Sequence, residues 1–366
     1  MKYALSTIAW VESLARKEIE KCDWKIEEVV DRLVIFSWWV ELIPRVNIWS
    51  RVGNKMYILL AEKDNLKTFD ELFELISEIS WKKYFKKNFP IHIKATSERS
   101  ELISEKTIQS ISKKAIIKSL VWEDNYDEDD TYEDIEILVL IINDKARIML
   151  DTSGKALHMR WYRKNAWIAP IKESLAAALV LLSNWKFKEP FYDIFCWSGT
   201  IAIEALMIAK NIAPWLNRKF AFEQLWIVNT EVTNNEKQIA KKREYSWDYI
   251  IIATDNDEKM IEVARENLGI LSLEWQIDFR VKDYKEYLND KLSWTLVSNP
   301  PYWERMKTDE LELMYKDIND LLVKNKDIHW WIISSYLDFD KIIKQDKYKK
   351  RKLYNWNVKC YFWKKV

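Results

Sequence analysis

The sequence predicts an α/β protein: a C-terminal, mostly parallel sheet preceded by a smaller α+β region. Three observations carry this. From residue 152 onward, short apolar runs alternate with helical stretches. Four of those runs end in a polar residue, at Asp193, Asp255, Asp283 and Asn299. The first passes through Cys196, Trp197, Ser198, Gly199 and Thr200 straight into Ile201–Lys210, so it reads as strand, tight loop, helix. A loop of that kind lets backbone approach a ligand and points helix N–H groups at it.

Taken in order, residues 1–45 read as a small α/β unit. Tyr3–Ile8 is a short strand. Val11–Lys21 has apolar residues at Val11, Leu14, Ala15 and Ile19 among charges, which is helical spacing. Arg32–Ser37 is a second strand. Residues 46–151 form a second unit. Ile48 starts a segment that ends in the apolar run Met56–Ala61, Phe69–Ile79 is an amphipathic helix, and Phe89–Ala95 alternates as a strand. Ser104–Val121 is a longer helix carrying Lys106, Lys113, Lys114 and Lys118. The acidic run Glu123–Asp134 reads as a solvated loop. Ile135–Ile142 and Ala146–Asp151 then pair as strands about Asn143 and Asp144. Residues 152–366 form the third region. Ile171–Leu182 is a helix and Phe191–Phe195 its first core strand. The polar stretch Asn211–Trp247 contains helical pieces. Tyr249–Asp255, Gln276–Lys282, Ser293–Ser298 and Trp331–Ser335 are further strands, with helices at Asp257–Leu268 and Asp309–Val323. Tyr348–Tyr354 and Asn357–Phe362 close the sheet as an antiparallel pair.

Composition narrows the function classes. No apolar run approaches the roughly 18 residues that a membrane span needs, and the charges at Glu12, Arg16 and Lys17 do not suit a signal peptide. Cys22, Cys196 and Cys360 are far apart, as are His92, His158 and His329. That pattern predicts a reducing cytoplasm and no metal site. A net charge of +1 means that any nucleic-acid surface is a local patch.

One imbalance stands out. The chain has 4 glycines and 21 tryptophans in 366 residues. Glycine at about 7% would supply roughly 26, and the two types together come close to that. The tryptophans fall at turn positions, where glycine is the residue that tolerates positive φ. The sequence therefore predicts that most of them are glycines in the cell, read from UGA codons.

The strand ends carry the chemistry. In an open α/β sheet, ligands bind beyond the carboxyl ends of strands. Asp193 sits beside the Ser198–Thr200 turn. A carboxylate at Asp255 can accept both hydroxyls of a ribose, and one at Asp283 can meet an adenine amino group. Asn299, Pro300, Pro301 and Tyr302 end the fourth strand. The Asn299 side-chain oxygen and the Pro300 carbonyl can accept hydrogen bonds from an exocyclic amine, and the prolines restrict φ to hold that carbonyl. Tyr302 can stack on a base drawn out of its helix. Cys196 reads as a small packed residue.

With these residues in view, the chain resembles the class I S-adenosylmethionine-dependent methyltransferases with a Rossmann-like sheet of seven strands and an antiparallel last strand. The run Asn299–Tyr302 is similar to the motif of members that methylate exocyclic nitrogens of bases. The segments Leu157–Glu173, Asn211–Phe222, Asn299–Arg305 and Lys352–Trp356 resemble THUMP-containing RNA guanine-N2 methyltransferases. That match improves when Trp161, Trp167, Trp197, Trp215 and Trp303 are read as glycine. Residues 1–45 are similar to the family's ferredoxin-like subdomain and 46–151 to its THUMP RNA-binding domain, with Ser6-Thr7 and Trp49–Arg51 as landmarks. Residues 152–366 then correspond to the methyltransferase domain.

The resemblance implies S-adenosylmethionine as cofactor and structured RNA as partner. Likeness to members with one catalytic domain implies a guanine N2 in large-subunit ribosomal RNA; others of the same build act on transfer RNA. It carries over Asp193, Cys196, Ser198, Gly199, Thr200, Asp255 and Asp283 as cofactor residues, with Ala169, Pro170 and Glu173 closing the methionine end. Asn299, Pro300, Pro301 and Tyr302 are carried over as catalytic. Two alternatives stand beside it: a DNA adenine methyltransferase, which can share the Asn-Pro-Pro-Tyr motif, and a non-catalytic RNA-binding protein if an indole really fills position 197.

Overall fold

The computed structural model describes the whole chain except residues 23–24, 86–87, 121–125, 164–170, 226, 302–307, 337, 344–347, 356–357 and 366. It divides into two compact units, the first Met1–Thr7, Ala15–Leu157 and Trp215–Ile239, the second Ile8–Leu14, His158–Pro214 and Ala240–Val366. The chain runs β1 (Lys2–Thr7), α1 (Glu12–Glu20), β2 (Lys25–Val30), β3 (Leu33–Ser37), α2 (Ile43–Trp49), β4 (Gly53–Lys63), α3 (Phe69–Ser77), β5 (Ile91–Glu98), α4 (Glu105–Leu120), β6 (Ile135–Ile142) and β7 (Lys145–Asp151). It continues with α5 (Glu173–Ser183), β8 (Phe191–Asp193), α6 (Thr200–Ala209), α7 (Ala221–Gln224), α8 (Thr230–Lys242), β9 (Ile251–Asp255), α9 (Glu258–Ile270), β10 (Asp278–Val281) and β11 (Trp294–Ser298). The last elements are α10 (Thr308–Lys324), β12 (Ile328–Ser334), α11 (Phe339–Ile342), β13 (Tyr348–Asn355) and β14 (Val358–Lys365).

The first unit holds a seven-stranded sheet in the order β2-β3-β1-β4-β7-β6-β5. Its pairs are antiparallel apart from β5 with β6. Strand β1 pairs with β3 on one side and β4 on the other, so residues 1–45 and the stretch that follows them share one sheet. Strand β6 alternates buried and half-buried along Ile135–Ile142, as a strand with one covered face should. Helix α3 starts on a capping box, with Thr68 accepting from the Glu71 N–H and Glu71 reaching back.

Two elements differ from the sequence expectation. Strand β2 carries Glu27 and Glu28, and its alternation is half-buried against exposed, which leaves a weak apolar signal. Helix α2 contains Pro44, which suits the first turn where its missing N–H is not needed.

The second unit holds the other seven-stranded sheet, in the order β10-β9-β8-β11-β12-β14-β13. Strands β8 to β12 run parallel, β14 is antiparallel to β12, and β13 and β14 form the closing hairpin. The inner parallel strands β8, β9 and β11 are mostly buried, as strands covered on both faces should be, whereas the edge strand β10 buries only Phe279. Helices α5 and α6 are buried along most of their residues, which fits their Ala and Leu content. On another part of the sheet Leu296, Trp330 and Ile332 pack with Leu311, Tyr315 and Ile318 of α10. Among the described residues no helix is long and apolar enough to cross a membrane.

Candidate active site

Strand order places the site. From β8 the sheet grows one way through β9 and β10, and the other way through β11 and β12. Connections that leave in opposite directions open a crevice at the carboxyl ends of the two strands between them, here β8 and β11. Asp193 is the last residue of β8 and Ser298 the last of β11. The two are bonded: Ser298 Oγ donates to Asp193 Oδ1 at 2.5 Å and accepts from the Phe195 N–H at 3.0 Å. Asp193 is fully buried, and its Oδ2 has no hydrogen-bond partner among the described residues. Burial pushes its carboxyl up to about 7, against the pull of Ser298 and with repulsion from Asp255 adding to the rise.

The loop after β8 is held from both sides. The Cys196 N–H donates to the Thr254 carbonyl at 2.9 Å, and the Gly199 N–H donates to the Cys196 carbonyl at 2.8 Å. Gly199 caps α6 with φ of 79°. A Cβ there would lie 2.9 Å from the Phe279 ring and 3.0 Å from Ala264, so close packing and backbone conformation both demand glycine. Asn267 Nδ2 donates to the Ser198 carbonyl at 3.1 Å, and the Ser198 Oγ is buried with no partner among the described residues. Thr200 is buried at the start of α6. Cys196 is buried too, and its thiol is pushed well above the usual range, which makes it a packed residue and a poor nucleophile.

Asp255 ends β9 as expected. Its Oδ2 accepts the Trp197 N–H at 2.9 Å and its Oδ1 the Asp257 N–H at 3.1 Å, so it braces the loop as well as facing the crevice. Burial raises its carboxyl above the ordinary value. Asp283 lies two residues past the end of β10 and not at the strand end. It caps the following 3-10 turn, accepting from the Lys285 N–H at 2.9 Å, and is joined to Asn256 Nδ2 at 3.5 Å. The cap explains its position; the second oxygen stays near Asn256.

Glu173 opens α5, buried and 3.2 Å from Arg163 Nη1. Arg163 Nη2 also donates to Thr200 Oγ1 at 2.8 Å and to the Ile171 carbonyl at 3.0 Å. Arg163 therefore ties the segment before the parallel sheet to the start of α6. Neither it nor Ser298 carries a role in the sequence reading. The signal for Ser298 was its place directly before Asn299. Asn299 and Pro300 are buried at the end of β11, and Pro301 is half-buried. Ala169, Pro170, Tyr302 and Trp303 lie outside the described residues.

The residue set fits a nucleoside-bearing cofactor: a helix N-terminus, two buried oxygens at Asp193 and Ser198 without partners among the described residues, and a carboxylate at Asp255. One side chain does not fit. Trp197 has φ of 50°, a left-handed backbone that costs a bulky residue roughly 1–3 kcal/mol. Its indole N–H donates to the Asn299 carbonyl at 3.0 Å. The ring thus stands between the loop and the Asn-Pro-Pro turn.

Known proteins bear on the same residues. Residues 160–364 match the UPF0020 family, described as an RMKL-like methyltransferase domain, and residues 67–151 match the THUMP domain. The chain is 34% identical over 375 residues to YpsC of Bacillus subtilis, provisionally named an RNA methyltransferase, covering 100% of this chain and 97% of that one. The crystal structure of SMU.472, provisionally a methyltransferase and complexed with SAH, is 32% identical with a TM-score of 0.89, over 100% of this chain and 97% of that one. A Listeria monocytogenes protein described as a predicted N6-adenine-specific DNA methylase is 30% identical with a TM-score of 0.90, over 99% and 95%.

Proposed function

The chain belongs to the RMKL-like methyltransferase family, and on that premise we propose that it methylates the exocyclic N2 of a guanine in structured RNA, first of all large-subunit ribosomal RNA. It is an S-adenosylmethionine-dependent methyltransferase. The observation that carries the proposal is the placing of Asn299 and Pro300 at the end of β11, joined through Ser298 to Asp193 at the end of β8. The motif for the acceptor amine and the loop for the donor share one crevice.

The chemistry follows from what an exocyclic amine lacks. Its lone pair is conjugated with the base ring, so it attacks weakly. Two acceptors on its N–H groups, the Asn299 side-chain oxygen and the Pro300 carbonyl, orient the nitrogen and favour a lone pair aimed out of the base plane. The bound cofactor supplies an electrophilic methyl group. Holding two reactants in line supplies much of the acceleration. The proton can leave after the carbon–nitrogen bond has formed, so no strong base is needed. Asp193, with its carboxyl raised to about 7, shares the proton of Ser298 and holds β8 against β11.

RNA enters through the THUMP match over residues 67–151 and the name of the Bacillus subtilis relative. Transfer RNA of the same base chemistry is the nearest variant. A second reading is methylation of adenine N6, which the description of the Listeria protein favours; the same two acceptors serve either amine. The test is in vitro methylation of ribosomal RNA, transfer RNA and duplex DNA with labelled cofactor, then nucleoside mass spectrometry, on the chain with Trp197 and on its Trp197→Gly form. N2-methylguanosine in RNA supports the proposal. N6-methyladenine replaces it with the second reading. A protein that binds cofactor yet methylates neither base overturns both.

A further inference from the structure

We propose that Trp10, Trp197, Trp275 and Trp294 stand where the protein made in its own host carries glycine, from UGA codons read as glycine, and that the missing side chain at position 197 opens the donor pocket. The inference rests on the donor-loop reading of residues 193–200, not on the identity of the methylated base.

Composition raises the question for 21 tryptophans at once, and the backbone answers it position by position. Among the described residues four tryptophans have positive φ: Trp10 at 72°, Trp197 at 50°, Trp275 at 68° and Trp294 at 84°. Other residues at positive φ are mostly Asn, Asp, Ser or Arg at turns. Asn and Asp tolerate that region through their short polar side chains, whereas a bulky ring is an outlier there. Glycine is the residue such positions ordinarily take. Three of the four also stand at the surface: Trp275 is 96% exposed, Trp10, whose ring lies under Lys352 Nζ, 50% and Trp294 45%.

Trp197 makes the functional case. Its N–H is fixed on Asp255 and its indole on the Asn299 carbonyl, so the ring spans the gap from donor loop to acceptor motif. A methyl group has to cross that gap. With no side chain at 197 the backbone bond to Asp255 survives, the loop keeps its left-handed turn without strain, and the corridor is clear.

Other indoles are built into the core: Trp215, which the sequence reading took for glycine, is 3% exposed with its N–H on the Leu157 carbonyl at 3.0 Å. Trp81 is 1% exposed, with its indole N–H on the Ile76 carbonyl at 2.8 Å and its ring edge-on to Phe85. Trp185 is 5% exposed, with its N–H on the Glu189 carbonyl at 2.8 Å and its ring against Phe191 and Tyr249. Each uses both the bulk and the donor of an indole. The proposal therefore assigns UGA to codons 10, 197, 275 and 294, and UGG to codons 81 and 185.

Reading the gene at these six codons is the first test, and a UGG at 197 overturns the proposal. The second uses the purified chain with Trp197, Trp197→Gly and Trp197→Ala, titrated with S-adenosylhomocysteine in a calorimeter without any acceptor. Trp197→Gly is expected to bind at least about tenfold more tightly than the chain with Trp197, with Trp197→Ala between them. Equal affinity across the three overturns the role at 197. Trp185→Gly and Trp275→Gly complete the set in thermal unfolding: the first is expected to lose its transition or fall steeply in Tm, the second to hold or gain. The reverse order overturns the sorting. Since no arm measures methyl transfer, a wrong choice of base leaves these results untouched.

Discussion

Both sheets have seven strands, yet they use their buried polar residues in opposite ways. In the N-terminal unit those residues pair across the middle of the sheet. Lys55 Nζ lies 2.7 Å from Glu136 and 2.8 Å from Asp151, and Arg147 reaches Glu28 at 3.0 Å and Glu62 at 3.1 Å. In the catalytic unit one group of them gathers at strand ends: Asp193, Asp255, Ser298 and Asn299. Strand direction explains the contrast. Neighbours in an antiparallel sheet reverse, so their carboxyl ends are split between two edges. Parallel strands bring all their carboxyl ends to one edge, where polar residues from distant parts of the chain can meet around a ligand. A buried charge in the first sheet is therefore structural until shown otherwise, and one at the end of the second is a candidate for chemistry.

The largest effect tests that division at Asn299. Asn299→Ala removes one of the two acceptors proposed for the amine. By analogy with the loss of one well-placed hydrogen-bonding group in an active site, kcat should fall by about 10²–10³-fold. Cofactor affinity should stay within about threefold, read by calorimetry on the same preparation. Full activity in the variant would remove the strand-end motif from the chemistry.

The mirror experiment is in the other sheet. Lys55→Met leaves Asp151 and Glu136 buried beside a thioether, and stripping one partner from a buried charge network costs about 3–5 kcal/mol. Urea unfolding should show that loss, while S-adenosylhomocysteine affinity of the folded fraction is unchanged. A fall below about 1 kcal/mol would mean that this network is not what holds β4 to β6 and β7. Arg160→Met is its counterpart in the catalytic unit, because Arg160 and Glu204 are both wholly buried and 3.2 Å apart with the Tyr162 hydroxyl donating at 3.1 Å. It should destabilise by a similar amount.

How much of this was legible beforehand differs by the range of each interaction. The strands of the catalytic sheet were legible because their apolar runs stop at Asp193, Asp255 and Asn299. Strand β2 was not, since Lys25–Val30 faces half of its residues to solvent and carries two glutamates. Asp283 had the right chemistry for a ligand, but the capping box with Glu286 that places it is a local feature and was open to recognition. The bond from Ser298 to Asp193 joins residues 105 apart, and Lys55 meets Asp151 across 96. No local pattern announces either; strand order does. Position 197 lies between these cases. Composition and turn context marked the tryptophan as out of place, while the indole's contact with Asn299, 102 residues away, needed the coordinates.

The smallest effect sharpens the comparison through pH. The catalytic unit holds two groups whose titrations oppose each other. Burial raises the Asp193 carboxyl from 3.8 to about 7, so between those values the folded protein keeps a proton that the unfolded chain has lost. Its contribution is full below about pH 4 and disappears as pH rises through 7. His158 goes the other way. Burial and the neighbouring Lys172, Arg160 and Arg163 lower it from 6.5 to about 4, so the unfolded chain takes up a proton first and stability falls as pH drops from 6.5 toward 4. On acidification from pH 7.5 to 5.5 the two nearly cancel in the native chain, each amounting to about 1–2 kcal/mol. Measured against the native chain over the same step, Asp193→Asn should lose stability and His158→Gln should gain it. Urea midpoints of the two variants at both pH values check the signs. If both move in the same direction, Asp193 is ionised in the folded protein, and the hydrogen bond from Ser298 outweighs its burial.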